Sequence, residues 1–259
     1  MTVQLLRGVD ARSLHTEIPG SRRFGAAVTS PPYWGLRRYG DDPNEIGVGP
    51  LSRYLADLTA VGQQLAERLE DEAVWWLNIG DTSAGSGGAG GDYSDTGRMK
   101  GRPKYRQGDS ELAPGQQSLV PLRVAMALQD DGWLVRQVIT WAKTTKDGGR
   151  NRVRPEDIKH VRRPLFSSEF IFMLTRQVNH RFCPRPELEQ GNVWHFPPAR
   201  NTGHQAPFPD ELARRCLMLT FSDEEMHEGN WAIDPFSGSG TTVRVAEQLG
   251  LSALGVDLY

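Results

Sequence analysis

Residues 231–242 read Trp-Ala-Ile-Asp-Pro-Phe-Ser-Gly-Ser-Gly-Thr-Thr. Trp231–Asp234 is a short apolar run closed by an acid, the pattern of a buried strand. Gly238 and Gly240 let the backbone turn tightly and approach a ligand. Thr241 or Thr242 is placed to cap a helix over Thr241–Leu249. A strand, a glycine-rich loop and a helix in that order present free N–H groups and a positive helix end to a carboxylate or another anion. Two other nucleotide loops do not fit. A P-loop needs Lys after its last glycine, where Thr241 stands, and a dinucleotide fingerprint needs a third glycine, where Val243 stands. The next apolar run, Ser252–Val256, ends at Asp257. An acid about twenty residues past such a loop is placed to bind ribose hydroxyls.

Further runs of the same kind lie upstream, at Val3–Leu6, Gly25–Thr29, Ala73–Ile79, Leu134–Trp141 and Phe170–Thr175. They predict buried parallel strands. Leu51, Leu55, Leu58, Val61, Leu65 and Leu69 recur at helical spacing, and Val120–Gln129 and Phe208–Leu219 behave alike. Strands alternating with helices predict a doubly wound, Rossmann-like α/β sheet. Residues 1–259 read as one domain carrying two aperiodic inserts, Thr82–Gln117 and Lys143–Arg163, both rich in Lys and Arg.

Thirty Lys and Arg against 32 Asp and Glu give a net charge of −2, so the chain lacks the basic balance usual in a nucleic-acid binder. Phosphate contacts must come from local clusters. One contains Arg98, Lys100, Arg102, Lys104 and Arg106; the other contains Arg150, Arg152, Arg154, Lys159, Arg162 and Arg163. The two cysteines, Cys183 and Cys216, form no metal-ligand spacing and point to a reducing compartment without structural zinc. Cys216, in an apolar stretch, reads as a core thiol. His180 and His195 have no partners at ligand spacing and read as structural. The opening residues show no signal peptide and no stretch reaches membrane-spanning length, so the cytoplasm is the expected location.

A second motif, Thr29-Ser30-Pro31-Pro32-Tyr33-Trp34, follows the run Gly25–Thr29. Two consecutive prolines donate no N–H and end the strand. The loop leaves the carboxyl end, where ligands bind in open α/β sheets. Ser30 and the carbonyl of Pro31 can accept hydrogen bonds from an amino group, and Tyr33 offers a flat face to a base.

Together these motifs resemble the DNA amino-methyltransferases, which modify the N4 amine of cytosine or the N6 amine of adenine. Ser-Pro-Pro-Tyr resembles their catalytic loop, and Asp-Pro-Phe-x-Gly-Ser-Gly-Thr-Thr resembles their loop for S-adenosyl-L-methionine. The order, catalytic loop first, resembles the circularly permuted beta class. Gly47–Leu69, Trp75–Gly91, Trp133–Lys143 and Ser168–Leu174 also match family stretches. The segment His204-Gln205-Ala206-Pro207-Phe208-Pro209 resembles one that holds the methionine end of the cofactor, and Asp10-Ala11 one near its adenine.

The resemblance implies a catalytic set of Ser30, Pro31, Pro32 and Tyr33. It implies a cofactor set of Asp234, Phe236, Ser237, Gly238, Gly240, Thr241, Thr242, Asp257, His204, Pro207, Phe208 and Asp10. Arg102, Lys104, Arg150, Arg152, Arg154 and Arg162 become candidate contacts to double-stranded DNA. The expected chemistry is base flipping followed by direct attack of an exocyclic amine on the activated methyl, with no metal. Carbon-5 methylation needs a Pro-Cys thiolate that this sequence lacks. Ser-Pro-Pro-Tyr followed by Trp34 is more typical of cytosine enzymes and Asp-Pro-Pro-Tyr of adenine enzymes, so N4 of cytosine is the expectation. An N6-adenine enzyme, an RNA methyltransferase and a catalytically silent DNA-binding relative are the alternatives. A bacterial or phage origin, with or without a restriction partner, fits equally. In the permuted order Val3–Leu6 should lie beside the last strand. Relatives often continue past that strand into a helix, so a partner subunit is expected to bear on the completeness of the cofactor pocket.

Overall fold

The computed structural model describes residues 2–35, 45–84, 112–113, 115–145, 148–149, 163–189, 191–199 and 208–259. Eight strands form one sheet: β1 (Val3–Arg7), β2 (Phe24–Thr29), β3 (Leu69–Ile79), β4 (Leu134–Lys143), β5 (Ser168–Thr175), β6 (Val193–Phe196), β7 (Trp231–Asp234) and β8 (Ser252–Asp257). Their spatial order is β1-β8-β7-β2-β3-β5-β4-β6. The described helices are α1 (Leu14–Glu17), α2 (Leu51–Arg68), α3 (Val120–Asp130), α4 (Asp210–Thr220), α5 (Asp223–His227) and α6 (Thr241–Gln248).

The sheet is mixed, not wholly parallel as the apolar runs predict. β5 lies antiparallel to both β3 and β4, while the other neighbouring pairs are parallel. A run of apolar residues reports burial on two faces and carries no sign for strand direction. β1 is a second departure, because as the edge strand it is largely exposed. It does pair in parallel with β8, Val3 opposite Ala253 and Arg7 opposite Asp257, so the first and last strands are neighbours.

β3 shows why its run is continuous. Trp75, Leu77 and Ile79 enter the core shared with α1, α2 and α3, whereas Val74 and Trp76 enter the core shared with α4 and α6. Successive side chains alternate faces, and both faces are covered by helices. α2 and α3 approach closely at Gly62, where a Cβ would stand 2.9 Å from a Leu128 methyl. Cys216 lies wholly within the second core, and burial raises its thiol pKa. No helix among the described residues is long and apolar enough to cross a membrane.

Strand direction gathers one set of chain ends. The carboxyl ends of β1, β8, β7, β2, β3, β4 and β6 share one edge of the sheet with the amino end of the reversed β5. The described starts of the connections that follow β2, β3, β4 and β6 leave from this edge. The neck of the first insert is closed by a bridge between Ser83 and Gln117. Asp81 holds this neck, accepting from the backbone N–H of Val120 at 3.0 Å and from Gln117 Nε2 at 2.7 Å.

Candidate active site

The two sequence motifs stand side by side because β2 and β7 are adjacent, Ala27 opposite Ile233. Their ends are bonded together. Thr29 Oγ1 donates to Asp234 Oδ1 at 2.7 Å, and Asp234 Oδ1 also accepts from the N–H of Phe236 at 3.1 Å. Thr242 Oγ1 lies 2.7 Å from Asp234 Oδ2 and 3.1 Å from the carbonyl of Val28. One hydroxyl proton cannot serve both acceptors. A proton on Asp234 satisfies both contacts, and because burial raises the Asp234 pKa to about 6 that form is held below about pH 6 and given up above it. Asp234 and Thr242 therefore fasten β2, β7 and α6 together, and their side chains are engaged within the protein.

The cap of α6 differs from the sequence expectation. Gly240 is the N-cap, left-handed at φ +81°, and Thr241 and Thr242 are already helical. Left-handed backbone favours glycine because a Cβ would crowd the following carbonyl. Gly238 is also left-handed, at φ +49°, and a Cβ on it would stand 3.9 Å from Asp257 Oδ2. Its absence opens a cradle between the loop and that acid. The first-turn N–H groups of α6 have no acceptor within the helix. Ser237 turns inward: its N–H donates to the carbonyl of Val256 at 2.8 Å, and its buried Oγ lies over Gly255. Phe236 is half-buried against the core beneath α2.

Asp257 is held by a residue the sequence reading missed. Arg7 Nη1 lies 3.0 Å from Asp257 Oδ2, and Arg7 Nη2 donates to the carbonyl of Gly238 at 2.9 Å. β1 thus braces both the glycine loop and the acid. Asp10 is near the same corner, since the neighbouring Val9 N–H donates to the Asp257 carbonyl. Its carboxylate caps the turn Ala11–Ser13 through the N–H of Arg12 and pairs with the Arg12 guanidinium. Burial opposes ionisation of Asp10, but these Arg12 contacts prevail and its pKa is lowered. Phe208 is half-buried against the core beneath α4. His204, Pro207, Arg102, Lys104, Arg150, Arg152, Arg154 and Arg162 lie outside the described residues.

The Ser-Pro-Pro-Tyr loop meets β3, β4 and β5 through a polar cluster. Ser30 Oγ donates to Tyr33 Oη at 3.1 Å, and Tyr33 Oη donates to Glu169 Oε2 at 2.7 Å. Asn78 Nδ2 reaches Tyr33 Oη at 2.7 Å and Glu169 Oε2 at 2.9 Å. Lys143 pairs with the other Glu169 oxygen. Tyr33 packs so closely on Gly80 that a Cβ there would stand 2.7 Å from its ring. Burial, and then the charge of Glu169, push the Tyr33 pKa well above its usual value, so the phenol stays protonated. Pro31 is buried and Pro32 half-buried. Trp34 anchors the loop's far side, its Nε1 donating to the carbonyl of Gly49 at 2.9 Å.

Known proteins agree with this architecture. Residues 25–259 match the N6/N4 family described as DNA methylase. The chain belongs to the DNA methylase family. The Type II methyltransferase M.Cfr9I of Citrobacter freundii is 35% identical to it over 264 residues, spanning 96% of this methylase and 81% of that protein. M.SmaI of Serratia marcescens is 33% identical over 252 residues, spanning 92% and 81%. In fold, this methylase resembles the PvuII DNA methyltransferase (cytosine-N4-specific), with a TM-score of 0.67, 16% identity and coverage of 100% of this chain and 83% of that one. It also resembles M1.HpyAVI in its SAM complex, with a TM-score of 0.59, 14% identity and coverage of 99% and 93%.

Asn78, Lys143, Glu169 and Arg7 are the site residues of this methylase that sequence reasoning missed. Lys143 and Glu169 stood inside stretches that resemble the family, but no motif spacing linked them. The available signal was an acid placed at the head of an apolar run, Ser168–Thr175.

Proposed function

We propose that this methylase transfers a methyl group from S-adenosyl-L-methionine to the N4 amine of a cytosine in duplex DNA. The observation that carries the reading is the bond from Thr29 to Asp234, which ties the strand before Ser30 to the glycine-rich loop. A loop able to bind an amine and a loop able to bind the donor thereby share one edge of the sheet.

The donor, when bound, supplies a methyl activated on a sulfonium. Its carboxylate suits the first turn of α6, and the cradle at Gly238 leaves room beside Asp257 for ribose hydroxyls. Phe236 and Gly240 shape the loop. Asp10, His204, Pro207 and Phe208 join this set through the family resemblance, and Asp234, Ser237, Thr241 and Thr242 support the loop from behind.

An exocyclic amine is a weak nucleophile because its lone pair is delocalised into the ring. Ser30 Oγ and the Pro31 carbonyl accept its hydrogens and draw density onto nitrogen, while the fixed loop supplies orientation. Tyr33 lends a ring edge or face to the flipped base. The Ser-Pro-Pro-Tyr-Trp pattern favours cytosine over adenine, and the name of the PvuII enzyme supports the same choice. The basic clusters of residues 98–106 and 150–163, which lie in sequence between β3 and α3 and between β4 and β5, supply the cations for duplex phosphates. The Type II relatives support a role beside a cognate restriction enzyme.

Expression in a host without DNA methyltransferases, followed by nucleoside mass spectrometry of its genome, tests the reading with every sequence context present. N4-methyldeoxycytidine is expected. N6-methyldeoxyadenosine would overturn the base assignment. Unmodified DNA would overturn the DNA reading and favour the RNA-directed or silent alternative.

A further inference from the structure

The cluster at Tyr33 has a direction, and that direction decides what Ser30 can offer a substrate. Glu169 Oε2 receives two donors, Tyr33 Oη at 2.7 Å and Asn78 Nδ2 at 2.9 Å, while Lys143 faces Oε1. An ionised carboxylate has no proton to give. The phenol proton must therefore point at Glu169. Tyr33 Oη is then left with lone pairs only, and it takes one donor from Asn78 at 2.7 Å and the other from Ser30 at 3.1 Å. The proton of Ser30 points inward, one lone pair of its Oγ faces Asn78 Nδ2 at 3.5 Å, and the other remains for the substrate. An amino group presents N–H donors, so a serine presenting a lone pair is the partner it needs.

We propose that Glu169 is a positioning residue of the methyl-transfer reaction: acting through Tyr33, it fixes Ser30 as a hydrogen-bond acceptor toward the target amine, and Lys143 fixes the carboxylate that does this. The inference rests on the amine-directed role of Ser30 proposed above. It holds for cytosine N4 and adenine N6 alike, since both are exocyclic –NH2 groups.

Lys143 makes a specific test available. In E169Q the introduced amide must turn its oxygen to the Lys143 ammonium, because its –NH2 and the ammonium are both donors. The –NH2 then faces Tyr33 and donates to it. The phenol proton swings to Ser30, and the serine proton turns outward against the amine. Replacing the lysine as well, in E169Q/K143M, frees the amide to rotate and offer its oxygen to Tyr33 and Asn78, restoring the original direction.

The experiment is single-turnover methylation of duplex DNA by purified full-length protein, with the affinities for S-adenosyl-L-methionine and DNA measured in parallel. E169Q should slow transfer by about 10- to 100-fold, the range set by one misdirected charge-linked hydrogen bond, with both affinities held within about twofold. E169Q/K143M should recover most of that loss. Y33F keeps the ring and the Lys143–Glu169 pair but breaks the chain, so it should also slow transfer, and E169Q added to Y33F should cost nothing more. A wild-type rate in E169Q or in Y33F would overturn the proposal. So would a double variant slower than E169Q, or independent effects of E169Q and Y33F. If E169Q proves too unstable to purify, Y33F alone decides. The wild-type control separates the two ideas: no methylated base from it sinks the proposed function, whereas a methylating wild type matched by these variants sinks only the role of Glu169.

Discussion

Asp234 joins three elements through Thr29, Phe236 and Thr242, and it does so from a fully buried position. Burial raises its pKa from 3.8 to about 6, the hydrogen bonds from Thr242 and Thr29 opposing but not cancelling that effect. The folded protein therefore holds this proton more tightly than the unfolded chain does. The resulting stabilisation is complete below pH 3.8 and is lost as pH rises through about 6. In D234N a neutral amide stands where the proton-bearing acid stood. Urea unfolding should then shift in favour of D234N over wild type by on the order of 2–3 kcal/mol between about pH 4 and pH 7.5. A difference that is flat with pH, or that moves toward wild type, would contradict a raised Asp234 pKa. At this scale the sequence was legible where residues are neighbours in the chain, as in Ser30 to Tyr33 and Phe236 to Gly240. It was not legible at Glu169, Lys143, Asn78 and Arg7. Each of these meets its partner only through sheet order, and Glu169 meets Tyr33 across 136 positions because β5 runs backwards between β3 and β4.

Elements were read well where periodicity was long. α2 was expected to end at Leu69 and ends at Arg68, while Trp231–Asp234 was found at the expected bounds. β6 escaped notice because Val193–Phe196 is four residues with alternate exposure, too brief to separate from a loop. α5 is also short, although Ser222 and Glu225 form a capping box that the sequence displays. The end of α2 carries a further feature that periodicity cannot show. Arg68 is buried and donates to the carbonyls of Gly20, His15 and Ile18, each at 2.6 Å. These bonds pin α1 and the irregular segment that follows it to the helix. Removing the guanidinium in R68A leaves buried carbonyls unpaired, so stability should fall by on the order of 2–4 kcal/mol with the carbonyls dry. The urea midpoint measures this, and a change within about 0.5 kcal/mol, the range of an ordinary surface substitution, would show that the segment holds itself.

Across the whole molecule, function follows from direction more than from any one residue. Seven strands bring their carboxyl ends, and the reversed β5 its amino end, to a single edge. That edge receives the Ser-Pro-Pro-Tyr loop and the glycine-rich loop. With a net charge of −2, binding of an anionic duplex would fall to the local basic clusters. The proposed function places Ser30 in methyl transfer at this edge. The most direct measurement supplies methyl-deuterated S-adenosyl-L-methionine and mixed-sequence duplex DNA to wild type and S30A, then weighs the nucleosides. Wild type should place deuterated methyl on N4 of deoxycytidine. S30A should lose about 100-fold or more, the scale of one transition-state hydrogen bond, with cofactor affinity retained. Label on carbon-5 of cytosine, or a wild-type yield from S30A, would contradict the proposed function.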